Sequence, residues 1–121
     1  METSKSFEGA VEAVEKKTAE KGFRVLNTHD VAGALAEKGF AREPLKIVEV
    51  CNARYAAEAL KKDVSVALML PCPIAVYMKG VKVFISTMRP SALTEFYPKS
   101  GIEEIAQQVE QTVLQIIEEA K

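Results

Sequence analysis

Two apolar runs, Ile74-Ala-Val-Tyr-Met78 and Val81-Lys-Val-Phe-Ile-Ser86, stand only Lys79-Gly80 apart. So short a connection forces them to lie antiparallel, because parallel neighbours need a crossover of about a dozen residues or more. Gly80 supplies the positive φ that the favoured two-residue hairpin turns demand. The chain therefore holds at least one antiparallel ribbon, and its other elements must be arranged around it.

Strand and helix patterns alternate ahead of this hairpin. Phe7, Ala10, Val11, Val14 and Thr18 recur at three- and four-residue steps, one face of a helix that Ser4 or Ser6 caps and Gly22 terminates. The residues before it suit a short edge strand. Residues 23–29 read as a strand, after which Asp30 caps a short helix running to Lys38, with Val31, Ala34 and Leu35 inward and Gly39 at its end. Pro44 opens a strand over residues 45–51. Asn52 then caps a helix over residues 53–61, with Ala56, Ala59 and Leu60 toward the core. Residues 64–70 are apolar on both faces and read as a central strand.

Beyond Pro90 an irregular stretch reaches Ser100, with one helical turn around residues 93–96. The last helix starts at Ser100 or Gly101. Its stripe of Ile102, Ile105, Val109, Val113, Ile116 and Ala120 is widened by Leu114 and Ile117. A face this broad covers a sheet and leaves room to meet another subunit, which makes a homodimer the expected assembly. The hairpin together with long amphipathic helices gives one α+β domain over residues 1–121, a two-layer sandwich of mostly antiparallel sheet with helices packed on it. The strand–helix–strand–helix–strand order of the middle also fits parallel crossovers, so a doubly wound α/β fold is the competitor.

Length and charge narrow the function classes. A chain of 121 residues is one domain by size, able to bury about two thirds of its unfolded surface. Sixteen Lys and Arg face seventeen Asp and Glu, with no run of like charge longer than a short pair, which argues against a nucleic-acid partner. The N-terminus lacks an apolar core of signal-peptide length. The longest apolar run, residues 64–78, is broken by Ser65 and two prolines and is too short to span a bilayer. A soluble cytoplasmic protein with no membrane partner is expected, and two cysteines do not make a disulfide scaffold. No phosphate-binding loop, nucleophile elbow or His-Glu-x-x-His is present, so no cofactor is expected.

The chemistry-bearing residues are few. Cys51 ends a strand immediately before the Asn52 cap, so its sulfur sits near a helix N-terminus, a setting that favours thiolate. Cys72 lies between Pro71 and Pro73 at another strand end, so the two cysteines are placed to approach each other. As a packing residue, either is simply a small apolar group. His29, the only histidine, and Glu49 would complete a zinc-compatible set with Cys51 and Cys72, although no spacing requires the four to converge. Asp30 beside His29 is better explained as a cap than as an acid–base partner. Arg54 and Tyr55 belong to the rim of any pocket at the cap, and Tyr77 reads as a core residue with a polar tip.

Glu49-Val-Cys-Asn52, the helix with Ala56 and Leu60, Leu68-Met-Leu-Pro-Cys72, Ile74-Ala-Val-Tyr77 and Val81-Lys-Val83 together resemble the domain-of-unknown-function 302 family. Ala53 stands where the family pattern has proline after Cys-Asn, and Arg89-Pro90 replaces its Asn-Pro or Asp-Pro. The resemblance implies a compact α+β domain and a homodimer of bacterial or archaeal type, with cysteines matching Cys51 and Cys72 and no established reaction. The leading expectation is a non-enzymatic binding or accessory module with a possible small-molecule ligand. The alternative is a thiol redox or soft-metal protein using Cys51 and Cys72. A hydrolase or transferase built on His29 is a third reading.

Overall fold

The computed structural model describes residues 1–97 and 101–121. Among these, strands β1 (Glu2–Thr3), β2 (Arg24–Asp30), β3 (Leu45–Cys51), β4 (Cys72–Lys79) and β5 (Lys82–Thr87) form one sheet in the order β1-β5-β4-β3-β2. All of its pairings are antiparallel, so the doubly wound alternative falls and the α+β reading stands. The hairpin closes as its spacing requires, with Lys79 opposite Lys82 and Gly80 at φ 62°.

Two helices cover one face of this sheet. In α1 (Phe7–Glu20) the Ser6 hydroxyl caps the Gly9 amide at 3.0 Å, and Gly22 at φ 79° turns the chain into β2. In α5 (Glu103–Ala120), Glu103 and Glu104 place negative charge in the first turn, where the helix dipole favours it. Its N-cap is Ile102, one residue past the expected start at Gly101, and Ser100, the other expected start, lies outside the described residues.

Alternation along the strands decides what these helices touch. Val48, Val50, Ile74, Val76, Val83 and Ile85 are each at most 5% exposed and meet Ala10, Val14, Val113 and Ile116 in one core. Burial of each such side chain contributes roughly 1.5–3 kcal/mol. Thr18, the one helix-face hydroxyl, is fully buried and donates to the Val14 carbonyl at 2.7 Å. The alternate strand positions, among them Ile47, Ala75, Tyr77 and Phe84, are half-buried on the face away from α1 and α5. There Tyr77 stacks on Phe84 at 5.6 Å and its hydroxyl meets Ser86 Oγ at 3.2 Å, so it lies on the open face rather than in the core.

Three expectations change. Residues 64–70 are not a central strand: Val64–Met69 is a 3-10 helix in which Val66 alone is buried, while Val64 and Leu68 are 75% and 88% exposed. The cause is local, since Asp63 Oδ1 accepts from the Ser65 amide at 2.9 Å and from its hydroxyl at 2.6 Å, which starts a turn. Helix α2 (Val31–Glu37) forms with the Asp30 cap at 2.9 Å from the Gly33 amide, but buries no residue, and Leu35 is exposed. Helix α3 (Ala53–Lys62) buries Ala59, whereas Leu60 faces solvent. After β5 comes a one-turn helix, α4 (Pro90–Leu93), then a 3-10 turn, Thr94–Phe96. No helix among the described residues is long and apolar enough to cross a membrane.

Candidate functional site

The sheet end that carries both cysteines opens into a cleft of about 290 Å³. One wall is α3, whose first turns present Tyr55, Ala56 and Ala59. A second is the 3-10 helix with the turn after it, through Leu68, Met69, Leu70 and Pro71. The first half of α5 closes the far side with Ile105, Ala106 and Val109, and Met88, Pro90 and Leu93 complete the rim. Glu110 holds α4 in place, accepting from the Ser91 amide at 3.1 Å and its hydroxyl at 2.6 Å. The Tyr97 hydroxyl donates to the Ser65 carbonyl at 3.1 Å, tying the segment after α4 to the 3-10 helix.

Strand register brings the two cysteine backbones to the same end of the sheet: Cys72, the first residue of β4, pairs with Val50, the residue before Cys51 at the end of β3. Both thiols are free and half-buried. Asn52 fixes the start of α3 beside them: its Oδ1 accepts from the amides of Arg54 at 3.0 Å and Tyr55 at 3.2 Å, and its Nδ2 reaches the Gly22 carbonyl at 3.4 Å. Arg54 points outward toward Glu58, whereas Tyr55 lines the cleft and lies 6.3 Å from the Phe23 ring.

The thiolate expected of Cys51 from its place at a helix N-terminus does not form. Burial disfavours charge and raises the Cys51 pKa above its ordinary value. Cys72 is pushed up further, to about 11, by burial and then by the neighbouring Cys51 charge. Burial keeps both as thiols at neutral pH.

His29 and Glu49 lie elsewhere. They face each other across β2 and β3 on the open side of the sheet, where His29 Nε2 hydrogen-bonds Glu49 Oε1, and neither lines the cleft. The four residues of the zinc-compatible set thus fall into two pairs, and among the described residues no three His, Cys, Asp or Glu side chains are grouped to hold a metal. Sequence reasoning found Cys51, Asn52, Tyr55 and Cys72 but missed Met69, Met88 and Ala106. The last carried a signal in hindsight, being a small residue between the large members Ile105 and Val109 of an otherwise bulky stripe.

This arrangement, a five-stranded antiparallel sheet backed by two helices with a cysteine-bearing cleft at its end, belongs to a defined class of small α+β domains. The family model described as domain of unknown function DUF302 matches residues 1–120, and the chain belongs to that family. A solved structure, described as an uncharacterized conserved protein DUF302 from Bacillus stearothermophilus, is similar to it at 28% identity and a TM-score of 0.94, covering 100% of this chain and 95% of that one. No curated protein matches the chain in sequence.

Proposed function

We propose that this chain is a non-enzymatic binding or accessory module, acting as a cytoplasmic homodimer, whose small-molecule site is the cleft at the end of the sheet. One observation carries the binding role: among the described residues, no carboxylate, imidazole, ammonium or guanidinium lines the cleft. Its titratable side chains among the described residues are Cys51, Cys72 and Tyr55, and burial keeps both thiols protonated. Such a site offers apolar contact to an uncharged ligand but no group poised for acid–base work near neutral pH. A fragment screen followed by amide shifts in a two-dimensional NMR spectrum tests this. Apolar fragments are expected to move Ala56, Met69 and Ala106, and shifts confined to residues outside the cleft would refute the assignment.

The assembly has its own support. The α5 stripe that suggested a partner is consumed inside the chain, with Val113 and Ile116 fully buried. The surface left for a second copy is the uncovered sheet face bearing Ile47, Ala75, Tyr77 and Phe84. Light scattering at micromolar concentration is expected to give the dimer mass, and a monomer mass would remove this part. Free cysteines fit the cytoplasm, which keeps thiols reduced.

The thiol or soft-metal alternative is favoured by one observation, that both cysteines line the cleft. Thiol counting with and without reductant, together with metal analysis of the purified protein, separates it from the first reading.

A further inference from the structure

Both cysteines of this chain line the cleft, and so do two of its four methionines, Met69 and Met88. We propose that the cleft takes a soft monovalent cation, Cu(I), between Cys51, Cys72 and the thioethers of Met69 and Met88. This rests on the soft-metal alternative for the same cleft, not on the uncharged-ligand reading, and names the metal and its ligands.

Backbone placement brings the sulfurs to one end of the sheet. Cys72 pairs with Val50, the residue before Cys51. Ile74 pairs with Thr87, so Met88 leaves β5 beside Pro73 as the strands part. Met69 ends the 3-10 helix that leads into Cys72. Three adjacent stretches of chain thus carry four sulfur-bearing residues to the end of the sheet where the cleft opens.

The donor set decides the metal class. Thiolate and thioether ligands select Cu(I), whereas magnesium, calcium and manganese want oxygen donors that this cleft lacks. Zinc would need further nitrogen or carboxylate ligands, and His29 and Glu49 are occupied with each other outside the cleft. Met88 is 61% exposed on an unbranched, flexible side chain, so it is able to swing onto a bound ion, while Met69 is half-buried against the core. Apolar walls also keep water from a cation that needs none. On binding, each ligating thiol gives its proton to solvent and a sulfur–copper bond takes its place. Copper stays Cu(I), and no electron moves.

The test is an anaerobic competition of the reduced full-length protein against a chromogenic Cu(I) chelator, with circular dichroism confirming that each variant is folded. The expected result is one Cu(I) per chain. Affinity should fall at least tenfold in the Met69→Leu/Met88→Leu double variant and at least a hundredfold in Cys51→Ser/Cys72→Ser, with Zn(II) bound far more weakly. Failure to take Cu(I) from the chelator, an unchanged affinity in the methionine double variant, or equal Zn(II) binding would each overturn the proposal. An apolar fluorescent dye titrated into the same protein separates the two readings. Saturable dye binding without Cu(I) uptake sinks the copper assignment and leaves the cleft as an apolar ligand site, whereas loss of both sinks both.

Discussion

Asn52 joins sequence, local structure and site in one side chain, so its substitution tests the reasoning at several levels. Asn52→Ala removes the oxygen that accepts from the Arg54 and Tyr55 amides at 3.0 and 3.2 Å, leaving two donors at the start of α3 without that partner. Loss of an N-cap costs about 1 kcal/mol, within a range of roughly 0.5–2. The second bond, from Nδ2 to the Gly22 carbonyl, is 3.4 Å long and lies beyond the usual hydrogen-bond range, so it adds little. The expected loss is about 1–1.5 kcal/mol, which at a urea slope of about 2 kcal/mol/M moves the unfolding midpoint down by roughly 0.6 M. Asn52→Asp keeps the accepting oxygen and adds a charge that the helix dipole favours, so it should stay within about 0.5 kcal/mol of wild type. A negligible loss in Asn52→Ala would refute the capping argument. A loss as large in Asn52→Asp would show instead that the amide donor to Gly22 holds the corner.

Three other outcomes follow from the same structure. Ala53 is the first residue of α3, preceded by extended backbone at Asn52 (φ −112°, ψ 116°), so Ala53→Pro should stabilise the chain by roughly 0.5 kcal/mol in urea unfolding, and destabilisation would contradict that reading. Ile116→Ala empties a fully buried core position and should cost about 2–5 kcal/mol in the same assay, whereas a cost below about 1 would mean that the α5 stripe is not buried in the single chain. Cys72, raised from 9.0 to about 11, stays protonated in the folded state over a pH range where the unfolded chain ionises. Its contribution to stability is therefore fully present below pH 9 and lost as pH climbs toward about 11. Wild type should lose more stability over that window than Cys72→Ala, and parallel curves would contradict the assignment.

Much of this architecture is readable from residues whose local and tertiary roles agree. The Lys79-Gly80 connection demands a hairpin, and the alternation in β3 ends at a cap that its own sequence supplies. The misread stretch at residues 64–70 has no alternation to mark it as a strand, and an unbroken apolar run suits a helix equally. There a hydrogen bond donated by the Ser65 amide to the Asp63 carboxylate decided the outcome. The stripe on α5 was plain, yet periodicity shows that a face is apolar without showing what covers it. The same limit applies to Leu35 and Leu60, which carry helical spacing but meet solvent.

At the site, the cysteines and the Asn52 cap stood out because they are rare or occupy a position with a known local role. Met69, Met88 and Ala106 did not, because the cleft exists only once α5 is laid across from α3. No local pattern in the sequence encodes that approach of two distant elements.

The central claim is that the cleft beside Cys51 and Cys72 is where this protein binds. Titration of an apolar, environment-sensitive dye into wild type, Ala106→Phe and Leu68→Glu tests it most directly. The first substitution fills the cleft, and the second puts a charge at an 88% exposed position on its mouth without disturbing the core. Saturable binding in wild type and at least tenfold weaker binding in both folded variants is the predicted result. Equal affinity in all three proteins would contradict the account.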